Sequence, residues 1–446
     1  MSAPAAPRVL AISNLYPPHH LGGYELVHAG ADEHLAAAGW AVHVLTTTHR
    51  EAGAPEDPRP SAPGDGGTVS VARALPWYWQ DHAFPRRSGR EALALERRVH
   101  DVLDATLSAH RPDVVALWAM GGLSTSLLGA LTRRGVPIVS VVHDLWPRYA
   151  HRVDPFARRL RPLGPLAGPV ARRLGSDVGP GPIPVGGAAR GTGATATARR
   201  VASRLRRRIR DELPVLPSGP VLLNSRRLGV ELLGAEDAPW PPGWRVVAPG
   251  VALPDAPAPE RTLTGALLCL GRLDERKGVD LAVAALAQLP GHRLTVAGGG
   301  DDRIAARLRE QAAALGLADR VTLLGPVGRE RVASLIAEHD AVLFPVRWSE
   351  PFGLVPLEAM AQGRPVVATG GGGQDEYLRD GDNALVVPHE DPPAIAAAVR
   401  RLAADPDLRA RLRRGGRGTA AGLDERSFRQ AVAEVLADAA SGGRRG

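Results

Sequence analysis

The sequence predicts an α/β protein with two Rossmann-like domains whose parallel sheets face each other across a cleft. Short apolar runs alternate with helical patterns in both halves of the chain, as expected for parallel strands joined by crossover helices. Each half opens with a strand, a glycine-containing turn and a helix. Residues 251–261 are rich in proline and alanine, which indicates a linker and a hinge. We expect an N-terminal domain over 1–250, a C-terminal domain over 262–424 and a tail helix over 425–446.

The composition favours a globular chain with acidic partners. The 446 residues are 44% hydrophobic, which is enough for two or three packed domains. The formal charge of +8 favours nucleotide phosphates, anionic lipids or nucleic acid as partners. The single cysteine, Cys269, allows no disulfide within the chain. Neither a signal-peptide pattern nor a run of about 18 apolar residues is found. We expect a cytoplasmic protein.

The first half opens with a candidate anion site. Residues 8–13 are typical of a buried strand, residues 24–39 of an amphipathic helix and residues 41–46 of the next strand. The turn before the helix contains Gly22 and Gly23, where the first backbone N–H groups of the helix lack partners. The spacing is not G-x-G-x-x-G, so a dinucleotide cofactor is not indicated. A purely structural turn is the alternative.

An aromatic cluster follows a segment that predicts a flexible loop. Residues 51–70 are rich in proline, glycine, alanine and aspartate. Residues 75–84 then gather four aromatic side chains, in a chain with only 4% aromatic residues: Trp77, Tyr78, Trp79 and Phe84. The cluster either forms a platform for stacking an acceptor or packs inside the domain, and packing is slightly favoured.

His143 is a candidate site residue because of its position after a strand. Further strands and helices of the first half are predicted at 91–110, 113–118, 122–134, 137–142, 220–224 and 245–248. His143 directly follows the strand at 137–142, and carboxyl ends of parallel strands line the ligand cleft. The neighbouring Asp144 could orient the imidazole. The alternative is a histidine satisfied by a backbone group.

Residues 148–212 are predicted to be a basic insertion. They hold 15 arginines against four acidic residues, a net charge of +11 that exceeds that of the whole chain. The middle, 175–197, is rich in glycine, alanine, proline and threonine and is predicted to be disordered. Residues 199–210 predict a basic helix. This helix either lies on an anionic membrane surface or is simply solvated, and binding to nucleic acid is the less favoured alternative.

The second half repeats the strand and helix pattern and places two cations at its first turn. Its elements are predicted at 266–270, 279–289, 293–298, 302–315, 320–325, 329–338, 341–346, 365–369, 384–388, 392–404 and 406–414. Arg272 and Lys277 flank the turn after the first strand, where they can neutralise a leaving diphosphate. Lys277 is the only lysine among 55 basic residues, which suggests that a compact ammonium is required there.

The stretch 348–363, W-S-E-P-F-G-L-V-P-L-E-A-M-A-Q-G, predicts a ligand site at a strand–turn–helix junction. Its glycine, Gly353, allows a phosphate to approach the open amides at the helix start. Glu350 precedes the helix and Glu358 lies two turns inside it, so both carboxylates can hold hydroxyl groups beside that phosphate.

These motifs resemble those of retaining GT-B glycosyltransferases, particularly family 4. The pair Glu350 and Glu358 matches the Glu-x7-Glu signature, and the segment from Arg272 to Lys277 matches the G-R-x4-K motif. The resemblance implies that Glu350 contacts the donor sugar, Glu358 the ribose, and the amides at 352–354 the diphosphate. The residues predicted to bind the donor are Phe352, Gly353, Leu354, Glu358, Glu376 near the sugar and Leu324 near the base.

The same resemblance implies that the tail helix over 425–446 crosses back to the first domain, and it implies roles for residues of that domain. The Gly22-Gly23 loop would face the acceptor and the donor phosphates, and His143 would lie beside the donor sugar or the attacking hydroxyl. The catalytic set expected from the resemblance is therefore His143, Arg272, Lys277 and Glu350. No cofactor other than a nucleotide-diphosphate-sugar co-substrate is expected. No metal is expected either, because the sequence D-G-D at 380–382 is typical of a turn.

The predicted activity is transfer of a sugar from a nucleotide-diphosphate donor to an acceptor hydroxyl with retention at the anomeric carbon. Lipid-linked glycans, exopolysaccharides and natural products are all plausible acceptors. Nucleotide-sugar epimerisation and glycan phosphorolysis are rivals within the fold, and phosphorolysis would need a pyridoxal lysine. The alternative from another class is a protein that binds membrane or nucleic acid and has a catalytically silent cleft.

Overall fold

The computed structural model describes residues 6–50, 67–79, 84–85, 87–160, 216–256, 258–259 and 262–443. The predicted disordered segment at 175–197, the predicted basic helix at 199–210 and most of the predicted loop at 51–70 lie outside these residues. Within them, every helix is too short or too polar to cross a lipid bilayer.

In the described part of the chain, the first sheet contains seven parallel strands. They are β1 (Arg8–Ile12), β2 (Ala41–Thr47), β3 (Thr68–Leu75), β4 (Val114–Leu117), β5 (Ile138–Val142), β6 (Val221–Leu223) and β7 (Trp244–Val246). Their order is β3-β2-β1-β4-β5-β6-β7, and every pairing is parallel. From β1 the chain adds β2 and β3 toward one edge of the sheet, and from β4 onward it adds strands toward the other edge. Open α/β sheets form their ligand crevice at this switch point between β1 and β4.

Six helices accompany this sheet in the described residues. They are α1 (Gly23–Ala37), α2 (Gly89–His110), α3 (Ser126–Arg133), α4 (Trp146–Val153), α5 (Pro155–Leu160) and α6 (Arg226–Leu233). The cap of α2 is a capping box in which Ser88 and Glu91 satisfy each other's backbone N–H groups, so the sequence itself defines where this helix begins.

The second sheet contains six parallel strands. They are β8 (Ala266–Leu270), β9 (Arg293–Ala297), β10 (Val321–Gly325), β11 (Ala341–Phe344), β12 (Val366–Thr369) and β13 (Leu385–Val387). Their order is β10-β9-β8-β11-β12-β13, so the switch point lies between β8 and β11. Two parallel sheets in an α/β chain confirm the predicted fold class.

Seven helices follow the strands of the second half. They are α7 (Val279–Leu286), α8 (Asp302–Ala314), α9 (Arg329–Ala337), α10 (Leu354–Ala361), α11 (Pro392–Ala404), α12 (Pro406–Gly422) and α13 (Glu425–Gly443). Short 3₁₀ turns occur at Glu275–Lys277, Ala318–Arg320 and Gly373–Glu376. Asp391 and Asp405 cap α11 and α12 through their side chains, which explains why the proline that follows each of them starts a helix.

Two sequence predictions were wrong in the first half. The predicted loop at 51–70 ends in β3, because the alternation of small and branched residues from Thr68 to Leu75 pairs with β2 at the sheet edge. The predicted insertion at 148–212 begins too early. Residues 148–160 belong to α4 and α5, where Ala150 and Phe156 are buried in the domain. In the second half, α12 extends eight residues beyond the predicted end at 414.

The last helix, α13, packs on the first sheet although it follows the second in sequence. Its residues Phe428, Val432, Val435 and Leu436 are each at most 3% exposed. They share an apolar cluster with side chains of α1, β1, β2, β4 and β5. A helix from the C-terminal end of the chain therefore completes the core of the first sheet.

A buried polar network lies under α3, where two carboxylates come close. Ser124 Oγ donates to Glu96 Oε2 at 2.7 Å, and the same hydroxyl lies 3.4 Å from Asp154 Oδ2. Asp154 also accepts from the amides of Thr125 and Phe156 at 2.8 and 2.9 Å. Burial, and then the negative charge of Glu96, raise the pKa of Asp154 to about 6.

We expect this raised pKa to make part of the protein's stability depend on pH. Between an unfolded pKa of 3.8 and a folded pKa of about 6, the folded protein binds more protons at Asp154 than the unfolded chain. Its contribution to the free energy of unfolding therefore falls as the pH rises through this window, by at most about 3 kcal/mol. Urea melts of the wild type and Asp154→Asn at pH 4.5 and 7 measure it.

The test compares how steeply the free energy of unfolding changes with pH in the wild type and in Asp154→Asn. Burial lowers the pKa of His43 to about 4 and that of His143 to about 3, which gives the opposite slope, but both groups are present in each protein and cancel. Equal slopes for the wild type and Asp154→Asn would contradict the prediction.

Candidate functional site

The site is centred on the carboxyl ends of the adjacent strands β8 and β11. The turn Glu275–Lys277 follows β8 and lies against the segment that follows β11. A Cβ atom on Gly278 would lie 2.0 Å from the carbonyl oxygen of Pro345, and its φ is +64°, so the contact requires glycine. The amide of Arg347 donates to the carbonyl of Arg276 at 2.8 Å. The two turns therefore form one unit.

Lys277 and Glu350 form a close ion pair within this unit. Lys277 Nζ donates to Glu350 Oε2 at 2.6 Å, and the indole N–H of Trp348 donates to the same oxygen at 2.9 Å. The side chain of Glu350 is 6% exposed and that of Lys277 is 23% exposed. Such partners offset the cost of burying a carboxylate group. The structure thus brings together two residues that the sequence placed in one site from separate motifs.

Arginines surround the same turn. Asp274 caps the turn and accepts from Arg276 Nε at 2.9 Å, while Arg272 Nη2 lies 3.4 Å from Asp274 Oδ2. Burial alone would raise the pKa of Asp274, but the hydrogen bonds from Arg276 outweigh it and lower that pKa to about 2. The Arg276 guanidinium also lies 4.4 Å from the centre of the Trp348 ring. Three cationic side chains are therefore grouped at the carboxyl end of β8.

The start of α10 lies beside this cluster. Gly353 precedes the helix with φ +82°, a conformation that favours glycine. The Phe352 side chain is 1% exposed and packs in the domain core, so this predicted donor residue could contact a ligand only through its backbone. Leu354 begins the helix and approaches the first domain, since a Cβ on Gly23 would lie 3.2 Å from Leu354 Cδ1. The Gly22-Gly23 loop and the helix start therefore meet across the cleft.

Tyr24 is a site residue that the sequence did not predict. Its ring stacks on His143, with centroids 5.0 Å apart and planes at 24°. The amides of Gly353 and Phe352 approach its buried hydroxyl, which makes no hydrogen bond of good geometry within the described part of the chain. Burial, and then the charge of Glu350, raise the pKa of Tyr24 well above its usual value, so the hydroxyl keeps its proton. The available signal was an aromatic residue directly after Gly22-Gly23.

His143 occupies a buried position between aromatic rings. It stacks on Trp118 with planes at 4°, and Phe428 of α13 lies 6.0 Å away. Neither ring nitrogen has a hydrogen-bond partner among the residues that the structure describes. Burial, followed by the nearby His28, lowers the pKa of His143 to about 3, so the ring is neutral at pH 7. Both buried nitrogens therefore have an unused capacity for a hydrogen bond within the described residues.

The predicted pairing of Asp144 with His143 was wrong. Asp144 instead accepts hydrogen bonds from the Trp146 amide at 3.0 Å and from the Tyr149 hydroxyl at 2.8 Å. Adjacent residues at the end of a strand point in opposite directions, so the two side chains diverge. Asp144 therefore organises the start of α4.

Two predicted donor residues on the second domain have other contacts. Glu358 forms an ion pair with Arg329 of α9, and its side chain is 12% exposed. Glu376 is exposed and accepts a hydrogen bond from the amide of Arg227 at 2.9 Å, which joins it to the start of α6 in the first domain. Leu324 lies at the end of β10 with 47% of its surface exposed. Ser225 adds a second contact between the domains, from its hydroxyl to the Pro351 carbonyl at 2.6 Å.

Aromatic residues after β3 and the acidic turn at 380–382 lie outside this centre. Tyr78 is 2% exposed and packs in the domain, while Trp77 and Trp79 are half-buried with ring centroids 6.1 Å apart. Asp380 accepts a hydrogen bond from the amide of Val386 at 2.9 Å, which fits the predicted turn. Within those residues, no group of three or more potential metal ligands is assembled.

Comparison with known sequence families gives the class of protein. Residues 260–419 match the model for "Glycosyl transferases group 1", and residues 22–219 match the model for "Glycosyltransferase Family 4". The first match contains all six strands of the second sheet, and the second match contains β2 to β5 of the first sheet. Together with the fold, they place the chain in the family 4-like group 1 glycosyltransferases, as the motifs predicted.

Several characterised proteins are similar to this chain over part of their length. A D-inositol 3-phosphate glycosyltransferase of Acidothermus cellulolyticus is 39% identical over 42% of this chain and 45% of that protein. The lipopolysaccharide core biosynthesis glycosyltransferase LpsE of Rhizobium meliloti is 35% identical over 43% of this chain and 54% of that protein. An alpha-D-kanosaminyltransferase of Streptomyces kanamyceticus is 37% identical over 33% and 38%, respectively. The matches thus span about half of these relatives.

Solved structures match the whole fold at lower identity. A sucrose-phosphate synthase of Thermosynechococcus elongatus has a TM-score of 0.65 and 21% identity, covering 97% of this chain and 98% of that chain. Anabaena Alr3699/HepE, in complex with UDP and glucose, has a TM-score of 0.62 and 19% identity, covering 96% and 99%. These neighbours establish the GT-B arrangement of two Rossmann-like domains.

Proposed function

We propose that this protein is a retaining glycosyltransferase that moves a sugar from a nucleotide-diphosphate donor to an acceptor hydroxyl. The observation that carries the proposal is the Lys277–Glu350 pair, which stands beside Arg272 and the start of α10 at Gly353. Cations and helix-start amides suit a diphosphate, and a carboxylate beside them suits the hydroxyl groups of a sugar.

The charge arrangement supports loss of a diphosphate leaving group. Negative charge develops on the diphosphate as the bond to the anomeric carbon breaks, and preorganised cations stabilise that charge in the transition state. Lys277 supplies a compact charge and Arg272 a planar donor group. Anabaena Alr3699/HepE was solved with UDP-glucose, which supports a nucleotide sugar as the donor here.

The proposed mechanism is transfer on one face of the sugar. Glu350 is engaged by Lys277 and Trp348, which is a poor environment for a covalent nucleophile. In the proposed step, the acceptor oxygen attacks the anomeric carbon from the side that the phosphate leaves, and a phosphate oxygen takes the acceptor proton. The products are the glycoside and the nucleotide diphosphate. His143, with neutral ring nitrogens, would orient a sugar or acceptor hydroxyl.

The acceptor belongs to the same proposal. The relatives include enzymes named for D-inositol 3-phosphate and for lipopolysaccharide core biosynthesis. Both names point to a polar, ring-containing acceptor that carries hydroxyl groups. We propose an acceptor of that class.

The first test is thermal stabilisation by nucleotide diphosphates and their sugars. A ligand that binds only the folded state raises the melting temperature, by roughly 5–10 °C at about 100 times its Kd. We expect one base to give this shift in the wild type and a smaller shift in Arg272→Gln, because the variant lacks a phosphate contact. Arg303→Gln is the matched control, since Arg303 pairs with Asp301 on the exposed surface of α8.

The outcomes separate the proposal from its alternative. A shift by one nucleotide in the wild type and Arg303→Gln, reduced in Arg272→Gln, supports the donor site. The absence of any shift from a folded wild type, combined with no release of sugar from any donor, would overturn the enzymatic function and favour a protein with a silent cleft.

A further inference from the structure

We propose that Trp348 is a positioning residue that acts through Glu350. The inference rests on the proposed transferase function, because it assigns the residue that fixes the orientation of the Glu350 carboxylate toward the sugar. Neither of the two motifs that define the site includes Trp348. Its role follows from its contacts.

The first observation is that one oxygen of Glu350 takes both strong contacts. Lys277 Nζ and the Trp348 indole N–H both donate to Oε2, at 2.6 and 2.9 Å. No hydrogen bond to Oε1 is formed by the residues that the structure describes. The lysine supplies a positive charge, and the indole fixes the orientation of the carboxylate. It can do so because an indole N–H is a single donor in the plane of a rigid ring. Oε1 is thereby left to accept a hydrogen bond from a ligand.

The second observation is that the indole itself is held in place. The Arg276 guanidinium lies 4.4 Å from the centre of the Trp348 ring, and Asp274 fixes that guanidinium through contacts from Nε and Nη2 at 2.9 and 2.5 Å. On the other side, Arg347 holds the chain next to Trp348 by hydrogen bonds to Asp280 at 2.5 and 2.6 Å. An orienting group is effective only if its own position is fixed, and these contacts fix it.

The arrangement joins the phosphate end of the site to the sugar end. Asp274, Arg276, Trp348 and Glu350 form one chain of contacts from the turn after β8 to the turn after β11. The chain makes the carboxylate geometry independent of whether a donor is bound. Removing the indole N–H should therefore reduce turnover more than nucleotide affinity, since the nucleotide diphosphate itself does not require Oε1 of Glu350.

The test is Trp348→Phe, with turnover and nucleotide binding measured separately. The phenyl ring keeps a surface for Arg276 and lacks the N–H donor. Loss of a hydrogen bond to a charged group is expected to lower kcat about 10- to 100-fold. The Kd of the nucleotide diphosphate, from the thermal shift used above, is expected to change less than about threefold.

A matched control exists in the first domain. Trp240 also has an arginine against its ring, with Arg226 at 5.8 Å, but its N–H makes no hydrogen bond in the described part of the chain. Trp240→Phe therefore makes the same chemical change without removing a hydrogen bond, and it is expected to keep wild-type kcat. Trp348→Tyr serves as a second variant if Trp348→Phe is poorly folded.

A double-mutant cycle with Glu350→Gln tests whether Trp348 acts through Glu350. If it does, Trp348→Phe lowers turnover much less in the Glu350→Gln background than in the wild type. Wild-type kcat in a folded Trp348→Phe, or equal effects in both backgrounds, overturns the inference alone. No sugar release by the wild type with any donor overturns the proposed function, and the inference with it.

Discussion

Replacing Lys277 with alanine is expected to lower kcat/KM for sugar transfer at least about 100-fold, because one preorganised charge contact to the leaving group disappears. The substitution also leaves the buried Glu350 carboxylate, whose side chain is 6% exposed, without its cationic partner. Steady-state release of the nucleotide diphosphate measures this loss. Thermal melts of the variant show how much of the loss comes from reduced folding.

Lys277→Arg gives a sharper test, because the chain contains 54 arginines and retains lysine only at this position. An arginine keeps the charge but replaces a compact ammonium by a broad planar group, in a space bounded by Phe344 and Trp348 at 5.6 and 5.9 Å from Nζ. We expect an intermediate activity, reduced about tenfold or more, which is the loss expected when an optimised contact of about 1.4 kcal/mol is misplaced.

Arg303→Ala is the surface control for both variants. Its guanidinium pairs with Asp301 at 2.6 Å and its side chain is 79% exposed. Removing it subtracts one positive charge without touching the cleft, so kcat/KM is expected to stay near the wild-type value. Wild-type activity in Lys277→Ala would contradict the role proposed for the lysine. It would indicate that Arg272 or Arg276 stabilises the negative charge of the leaving group instead.

The sequence predicted this part of the site because local spacing and sheet topology were sufficient. Arg272 and Lys277 follow one strand, and Glu350 and Gly353 follow another. In a parallel sheet, neighbouring strands bring their carboxyl ends to the same edge, and β8 and β11 are neighbours. The ion pair between Lys277 and Glu350 itself was not predicted, because it also depends on how the two turns pack at Gly278 and Arg347.

Contacts that depend on the packing of distant elements could not be predicted in the same way. Trp348 is the first residue of the stretch 348–363, but its hydrogen bond to Glu350 depends on a turn geometry fixed by Arg347 and Asp280. Tyr24 reaches the start of α10 only because the two domains meet there. The exposed Glu376 binds the Arg227 amide for the same reason. No pattern within one segment carries this information.

Two predictions, the pairing of Asp144 with His143 and the loop in place of β3, were wrong for reasons that the local sequence partly indicates. The direction of Asp144 follows from the alternation of side chains at the end of a strand, which excludes a contact with the adjacent His143. Strand β3 was missed because Arg73 and Ser70 interrupt its apolar pattern. As an edge strand, β3 has one neighbour, β2, and tolerates polar residues that a central strand would not.

The tail helix gives the second large effect that we expect. Phe428→Ala removes a ring that is 3% exposed in the apolar cluster between α13 and the first sheet. Truncation of a buried phenylalanine costs about 3–5 kcal/mol through lost burial and the cavity left behind. We therefore expect a marked loss of stability in the first domain, although the mutation lies in the last twenty residues of the chain.

Hydrogen exchange locates this loss, since a chain with two domains need not unfold in one step. Amides of β1, β4 and β5 are expected to exchange faster in Phe428→Ala, while those of β8 and β11 keep wild-type protection. Leu315→Ala is the control, because Leu315 is 44% exposed and its truncation leaves no buried cavity. Equal loss of protection in both sheets, or none in the first, would contradict the assignment of α13 to the core of the first domain.

The same variant is expected to affect the site through His143. The Phe428 ring lies 6.0 Å from the imidazole, which is otherwise held between Trp118 and Tyr24 by stacking. Because neither ring nitrogen is fixed by a hydrogen bond within the described residues, packing is what orients this histidine. A cavity at Phe428 lets the ring move. In Phe428→Ala at 25 °C, we expect the rate of sugar transfer to fall by a larger factor than the fraction of folded protein. We expect Phe428→Leu to restore the rate of sugar transfer, because leucine refills most of the space.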